Sequence, residues 1–131
     1  MSKTAIFFSK HKPSKEQASP EALSAIDCDN LVHVASQDEI DPNASQTEVQ
    51  VIAEEECNKI LAACSETVSW TVILGGGLPE LWIYMVPDLA SQVKVYTSTT
   101  RRVVEDLGTD PVTGEAKSKT TFKHVQYRRV A

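Results

Sequence analysis

Val68-Ser69-Trp70-Thr71-Val72-Ile73-Leu74-Gly75-Gly76-Gly77, residues 68–77, reads as a strand closed by a glycine turn. Its apolar run does not alternate with polar residues, which is the pattern of a strand covered on both faces in a parallel sheet. Pro79 follows where the first turn of a helix tolerates proline. That helix carries Leu81, Trp82 and Met85 on one side and is expected to stop before Pro87, because the residue preceding a proline disfavours helical geometry. Upstream, Val49, Ile52, Ala53, Cys57, Ile60, Leu61 and Cys64 are spaced by three and four, the stripe of an amphipathic helix, with Glu48, Glu54, Glu55 and Asn58 on the other arc. Ser45 and Glu48 have the spacing of a capping box at its start. Cys57 and Cys64 are therefore core residues.

Further out, Leu31-Val32-His33-Val34-Ala35 reads as a short strand, and the acidic stretch from Gln37 to Asn43 as a loop. Thr4-Ala5-Ile6-Phe7-Phe8-Ser9 is a second unalternating strand, followed by the basic loop Ser9-Lys10-His11-Lys12-Pro13 and a helical stretch from Ser14 to Leu23 that Pro20 interrupts. On the C-terminal side, a strand from Val93 to Val104 is separated by the turn-rich Gly108–Gly114 from a second one over Lys119–Arg129, a hairpin. Strands alternating with helices call for an α/β fold. It is a Rossmann-like, open, mostly parallel sheet with helices on both faces and a C-terminal antiparallel β-hairpin, in one domain over residues 1–131.

The 131 residues, 41% hydrophobic and 24% charged, fit a single domain whose core is adequate but not generous, so a homodimer would help it. No window approaches the roughly 18 apolar residues of a membrane span, and Ala5-Ile6-Phe7-Phe8 is too short for a signal-peptide core, so a soluble cytoplasmic protein is expected. Three cysteines without a C-x-x-C spacing encode neither a disulfide framework nor a zinc knuckle and suit a reducing compartment. The net charge of −5 argues against coating duplex nucleic acid. That average conceals a split: residues 94–131 carry eight Lys and Arg against four acids, and the first 93 residues are net −9. An acidic body with a basic end suits a localised anion site.

In an open parallel sheet, ligands lie beyond the carboxyl ends of the strands, where strand order reverses. That rule selects Ser9, Lys10, His11 and Lys12 after the first strand, Gly75, Gly76 and Gly77 after the Trp70 strand, and Thr97 to Arg102 along the next, all expected to share one crevice. The three glycines can bring backbone N–H groups to a phosphate at a helix start. They do not spell G-x-G-x-x-G, nor is the Lys-Ser/Thr of a triphosphate-binding loop present, so ordinary dinucleotide or triphosphate binding is unsupported. Ser98-Thr99-Thr100-Arg101-Arg102 offers hydroxyls and guanidiniums suited to phosphate and sugar oxygens, and the same letters also suit a solvated strand. His11, His33 and His124 have no metal-ligand spacing with carboxylates or cysteines, so neither a metal nor another cofactor is expected. His33 reads as a core histidine. His124 is either a proton donor to a substrate or a cross-strand partner.

Val95-Tyr96-Thr97-Ser98-Thr99-Thr100-Arg101-Arg102, a glycine-containing turn, and Thr121-Phe122-Lys123-His124-Val125-Gln126-Tyr127-Arg128 together resemble the small stand-alone CRISPR-associated ring nucleases of type III systems. Their Rossmann-like core is similar to the cyclic-oligonucleotide sensor domain. The likeness is specific over the last third of the chain and otherwise follows the order of elements. It implies a homodimer that binds cyclic oligoadenylate, foremost cyclic tetra-adenylate, across its two-fold axis and cleaves it to end antiviral signalling. Cleavage would need no metal: a ribose 2′-OH attacks its adjacent phosphate and leaves a 2′,3′-cyclic phosphate end. Arg101 and Arg102 would stabilise the phosphate, and strand alternation lets one of them reach it directly. Thr100 would orient the 2′-OH, and His124, or else His11, would protonate the leaving oxygen. Ser9, Lys10, His11, Gly75, Gly76, Gly77, Thr97, Ser98, Thr99 and Arg128 would hold the ligand. The competing readings are a non-catalytic sponge for the same ligand and a small subunit whose basic hairpin docks on a protein.

Overall fold

Residues 3–37 and 39–131 are described in the computed structural model, Phe122 by its backbone; Asp38, within the acidic Gln37–Asn43 loop, lies outside them. They form β1 (Thr4–Ser9), α1 (Pro20–Ser24), β2 (Asn30–Ala35), α2 (Gln46–Thr67), β3 (Thr71–Gly76), α3 (Pro79–Ala90), β4 (Lys94–Thr109) and β5 (Ala116–Arg129). The five strands make one sheet in the order β2-β1-β3-β4-β5, parallel except for the β4–β5 hairpin. The chain is thus a mixed α/β protein with a mostly parallel sheet, as its alternation of elements requires.

Burial explains the unalternating strands. Ala5 to Ser9 of β1 and Val72 to Leu74 of β3 are buried throughout, because successive side chains point to opposite faces and both faces are covered. Ile6, Phe8, Val72, Leu74 and Val95 pack under α2 and α3, while Ala5, Phe7 and Ile73 pack under α1 and the segment after it. Apart from Ala5, each of these side chains contributes about 1.5–3 kcal/mol by leaving water. The stripe on α2 buries Val49, Ala53, Cys57, Ile60 and Cys64, as its spacing requires, together with Glu56, which Lys59 neutralises at 3.2 Å. Ser45 Oγ accepts from Glu48 N at 3.2 Å at the α2 N-terminus.

Five boundaries depart from the sequence expectation. Pro20 starts α1 rather than interrupting it, since Ser19 caps the helix by accepting from Ala22 N at 3.2 Å and Pro20 occupies a first-turn position that needs no N–H. β3 begins at Thr71; Val68 is the left-handed C-cap of α2 at φ 52°, and Trp70 is 67% exposed. α3 runs through Pro87 to Ala90, because Leu81, Met85 and Leu89 continue a fully buried i, i+4 stripe whose burial outweighs the lost hydrogen bond. The hairpin strands extend to Thr109 and from Ala116, leaving a shorter turn held by Asp110 Oδ1, which accepts from Val112 N and Thr113 N.

Candidate functional site

Strand order reverses between β1 and β3: the chain leaves β1 for β2 on one side and returns to β3 on the other. A crevice of about 450 Å³ opens at that point, beyond the carboxyl ends of both strands. Ser9, Lys10, His11 and Lys12 form one wall, and Gly75, Gly76, Gly77 and Leu78 the other, with Phe7 and Gln17 also lining it. Among the described residues two lysines and no carboxylate line the cavity, and their charge favours anions.

A bulge shapes the floor. Phe8 pairs with Leu74 and Ser9 with Gly76, so Gly75 is an extra residue on β3. Gly75 is glycine because of Phe7: a Cβ there would stand 2.1 Å from the end of the Phe7 ring. A Cβ at Gly76 would meet nothing within 4 Å, so the backbone at Gly76 is open to a ligand in the crevice. α3 begins just after, capped by Leu78 without a side-chain bond; Pro79 has no N–H and Leu81 N donates to Leu78 O at 3.0 Å, which leaves the Glu80 N–H and the helix dipole near Gly77.

Two hydrogen-bonded groups flank the cavity. On one side His33 Nε2 lies 3.1 Å from Ser9 O and 3.4 Å from Ser9 Oγ, and the buried Ser9 hydroxyl donates to His11 O, which holds the basic loop to β1. On the other, Gln17 Nε2 donates to Ser98 Oγ at 3.0 Å, Ser98 Oγ lies 3.2 Å from His124 Nδ1, and the Tyr127 hydroxyl donates to Gln17 O. The His124 and Tyr127 rings stand 4.5 Å apart. Burial lowers the His124 pKa, with Glu16 partly opposing it, and burial pushes the Tyr127 hydroxyl far up. Burial also pushes the thiols of Cys57 and Cys64 up to about 11, which suits core residues rather than nucleophiles.

The three expected residue sets do not share one cavity. Ser9, Lys10, His11, Gly75, Gly76 and Gly77 line it; Ser98 and His124 connect to it through Gln17. Thr97 pairs with Leu74, in the last β3–β4 pair, and with Arg128, and Thr99, Thr100, Arg101 and Arg102 lie past it, outside the crevice lining. The physical reason is length: β4 keeps its course alongside β5 after β3 has stopped, so these residues stand on a ribbon beside the mouth. Thr100, Arg101, Arg102 and Arg128 are exposed there. His33, expected as a core histidine, is partly buried and touches the site through Ser9. Gln17 was the least legible member, because nothing in a loop glutamine's spacing announces a bond to a residue 81 positions away. Among the described residues no three His, Cys, Asp or Glu side chains are grouped to share a metal ion, and no helix is long and apolar enough to cross a membrane.

Fold and crevice together define an open α/β protein with a cation-walled site at its switch point. The chain belongs to the uncharacterized protein MJ1673 family, whose model matches residues 3–128. No curated protein and no solved structure matches it.

Proposed function

We propose that this protein is a ring nuclease that binds cyclic oligoadenylate, foremost cyclic tetra-adenylate, and cleaves it without a metal, ending type III CRISPR antiviral signalling. The observation that carries the reading is the lysine-lined crevice at the β1–β3 switch point, with Lys10, Lys12 and His11 facing Gly76 and the start of α3. At about 450 Å³ it suits one nucleotide and its phosphate, so the reacting linkage sits inside and the rest of the ring lies over the mouth, against the basic root of the ribbon. The ligand's 2′-OH releases its proton to solvent water as its oxygen bonds to phosphorus and the bond from phosphorus to the 5′ oxygen breaks. Lys10, Lys12 and the N–H groups near Gly76 stabilise the charge on the equatorial oxygens, and Ser9 holds the loop that carries them. His11 protonates the departing 5′ oxygen. Arg101 and Arg102 act from the ribbon, and His124 orients Ser98 and Gln17 at the crevice edge.

The test is incubation with cyclic tri-, tetra- and hexa-adenylate in EDTA, with products resolved by liquid chromatography and mass detection. Linear fragments ending in 2′,3′-cyclic phosphate are expected; cleavage that EDTA abolishes would sink the metal-free step. A second reading, a sponge that binds the ring intact, is favoured by the position of both arginines and His124 outside the crevice lining. Intact ligand co-eluting with the protein would establish it.

A further inference from the structure

Beyond Thr97, among the described residues, the strands β4 and β5 pair only with each other, over a ribbon on the order of 40 Å long. A two-stranded ribbon alone is at best marginally stable in water. This one also exposes Val104, Leu107 and Val125 to 56%, 55% and 49%. Its charge is sorted along its length. The root half, residues 98–104 and 119–126, holds Arg101, Arg102, Lys119 and Lys123 and no acid. The outer half, residues 105–118, holds Glu105, Asp106, Asp110 and Glu115 against Lys117 alone.

One face repeats the pattern at close range. Alternate residues of a strand share a face, so Arg102, Val104 and Asp106 form a stripe running cation, apolar, anion, and the residues opposite Val104 and Asp106 are the neutral Thr120 and Ser118. We propose that this ribbon is the interface with a second copy of the chain, the two ribbons lying antiparallel about a two-fold axis at Val104. A two-fold interface is self-complementary: if one residue meets another, the second meets the first on the other side. A stripe with opposite charges on either side of an apolar centre satisfies that only when antiparallel, where each Asp106 faces the partner's Arg102 and the two Val104 side chains cover each other. A parallel arrangement sets cation on cation. The two cavities then stand far apart, one ligand site per chain, in place of the single ring on the two-fold axis that the resemblance implies. The interface goes beyond the nuclease reading and does not depend on it.

Molar mass by light scattering at low salt tests the arrangement without any nucleotide. The parent chain is expected as a dimer. Arg102→Glu alone and Asp106→Lys alone each place two like-charged contacts across the axis, so each should raise the dimer dissociation constant at least tenfold, with circular dichroism unchanged to show that the fold survives. An equimolar mixture of the two variants, and the double variant Arg102→Glu/Asp106→Lys, should both recover the dimer. A monomeric parent, single variants that remain dimeric, or a mixture that stays monomeric would each overturn the proposal. Loss of cleavage with the dimer intact would count against the nuclease reading alone.

Discussion

Gln17 Nε2 donates to Ser98 Oγ over 3.0 Å, and this bond joins the crevice to the root of the ribbon. The same carboxamide accepts from Ser14 N at 2.8 Å, so both of its ends are fixed. Gln17→Ala should lower stability by about 0.5–1.5 kcal/mol, the net value of a part-buried hydrogen bond. Hydrogen exchange should show faster exchange of backbone amides near Ser98 and His124 while those of β1 stay protected. An unchanged exchange pattern at the ribbon root would mean that the bond does not hold the two parts together.

The glycine run separates two roles that identical letters conceal. Gly75→Ala forces a Cβ into the Phe7 ring, and overpacking of this kind costs about 1–3 kcal/mol. Gly76→Ala meets open space and should leave chemical denaturation unchanged. In the crevice the order reverses: the new methyl at position 76 occupies room a phosphate would take, so binding of cyclic tetra-adenylate should weaken for Gly76→Ala in a titration. Equal stability losses at both positions would contradict the bulge geometry.

The lysines of the β1 loop and the arginines of the ribbon make unequal demands on the nuclease reading. Lys10→Ala and Lys12→Ala should each reduce kcat/KM for ring cleavage by a factor equivalent to about 1.5–3 kcal/mol, the value of a charge-assisted hydrogen bond. Arg101→Ala, standing outside the lining, should cost less than the lysines and lose its effect as salt is raised, because an exposed charge acts through a screened field. An Arg101→Ala variant that fails where the lysine variants cleave normally would move the phosphate site onto the ribbon.

How much of this was legible in the sequence follows from which forces are local. Non-alternating runs such as Ile6-Phe7-Phe8 and Val72-Ile73-Leu74 report two-sided burial directly, so the parallel sheet and the place of its switch-point crevice could be read from one strand at a time. Ser45 and Glu48 announced the start of α2 because a cap is made within a single turn. Pro87 was misleading because its local cost is overridden by Leu89, whose burial depends on α3 packing against the sheet. Placing Arg101 and Arg102 in the crevice failed for a related reason: spacing along β4 does not tell where its neighbour β3 ends, and the ribbon carries them past that point. Gln17 and the His33–Ser9 contact needed three dimensions, each joining segments that nothing in the chain brings together before the sheet forms.

His124 links the ribbon root to acidity. Burial lowers its pKa from the usual histidine value, and Glu16 opposes the shift. A folded-state pKa below the unfolded one, about 6.5, means that the unfolded chain binds the proton more readily. The contribution of His124 to stability is therefore fully present above that value, declines as pH falls below it, and levels off once pH has passed the lowered folded-state pKa. Denaturation midpoints measured from pH 7.5 down to 5 should fall for the parent, and part of that fall should vanish in His124→Gln, which cannot take up the proton. Glu16→Gln removes the opposing charge, lowers the His124 pKa further and should steepen the decline. A parent and a His124→Gln variant with superimposable pH profiles would show that the imidazole does not sense its burial against Tyr127 and Ser98.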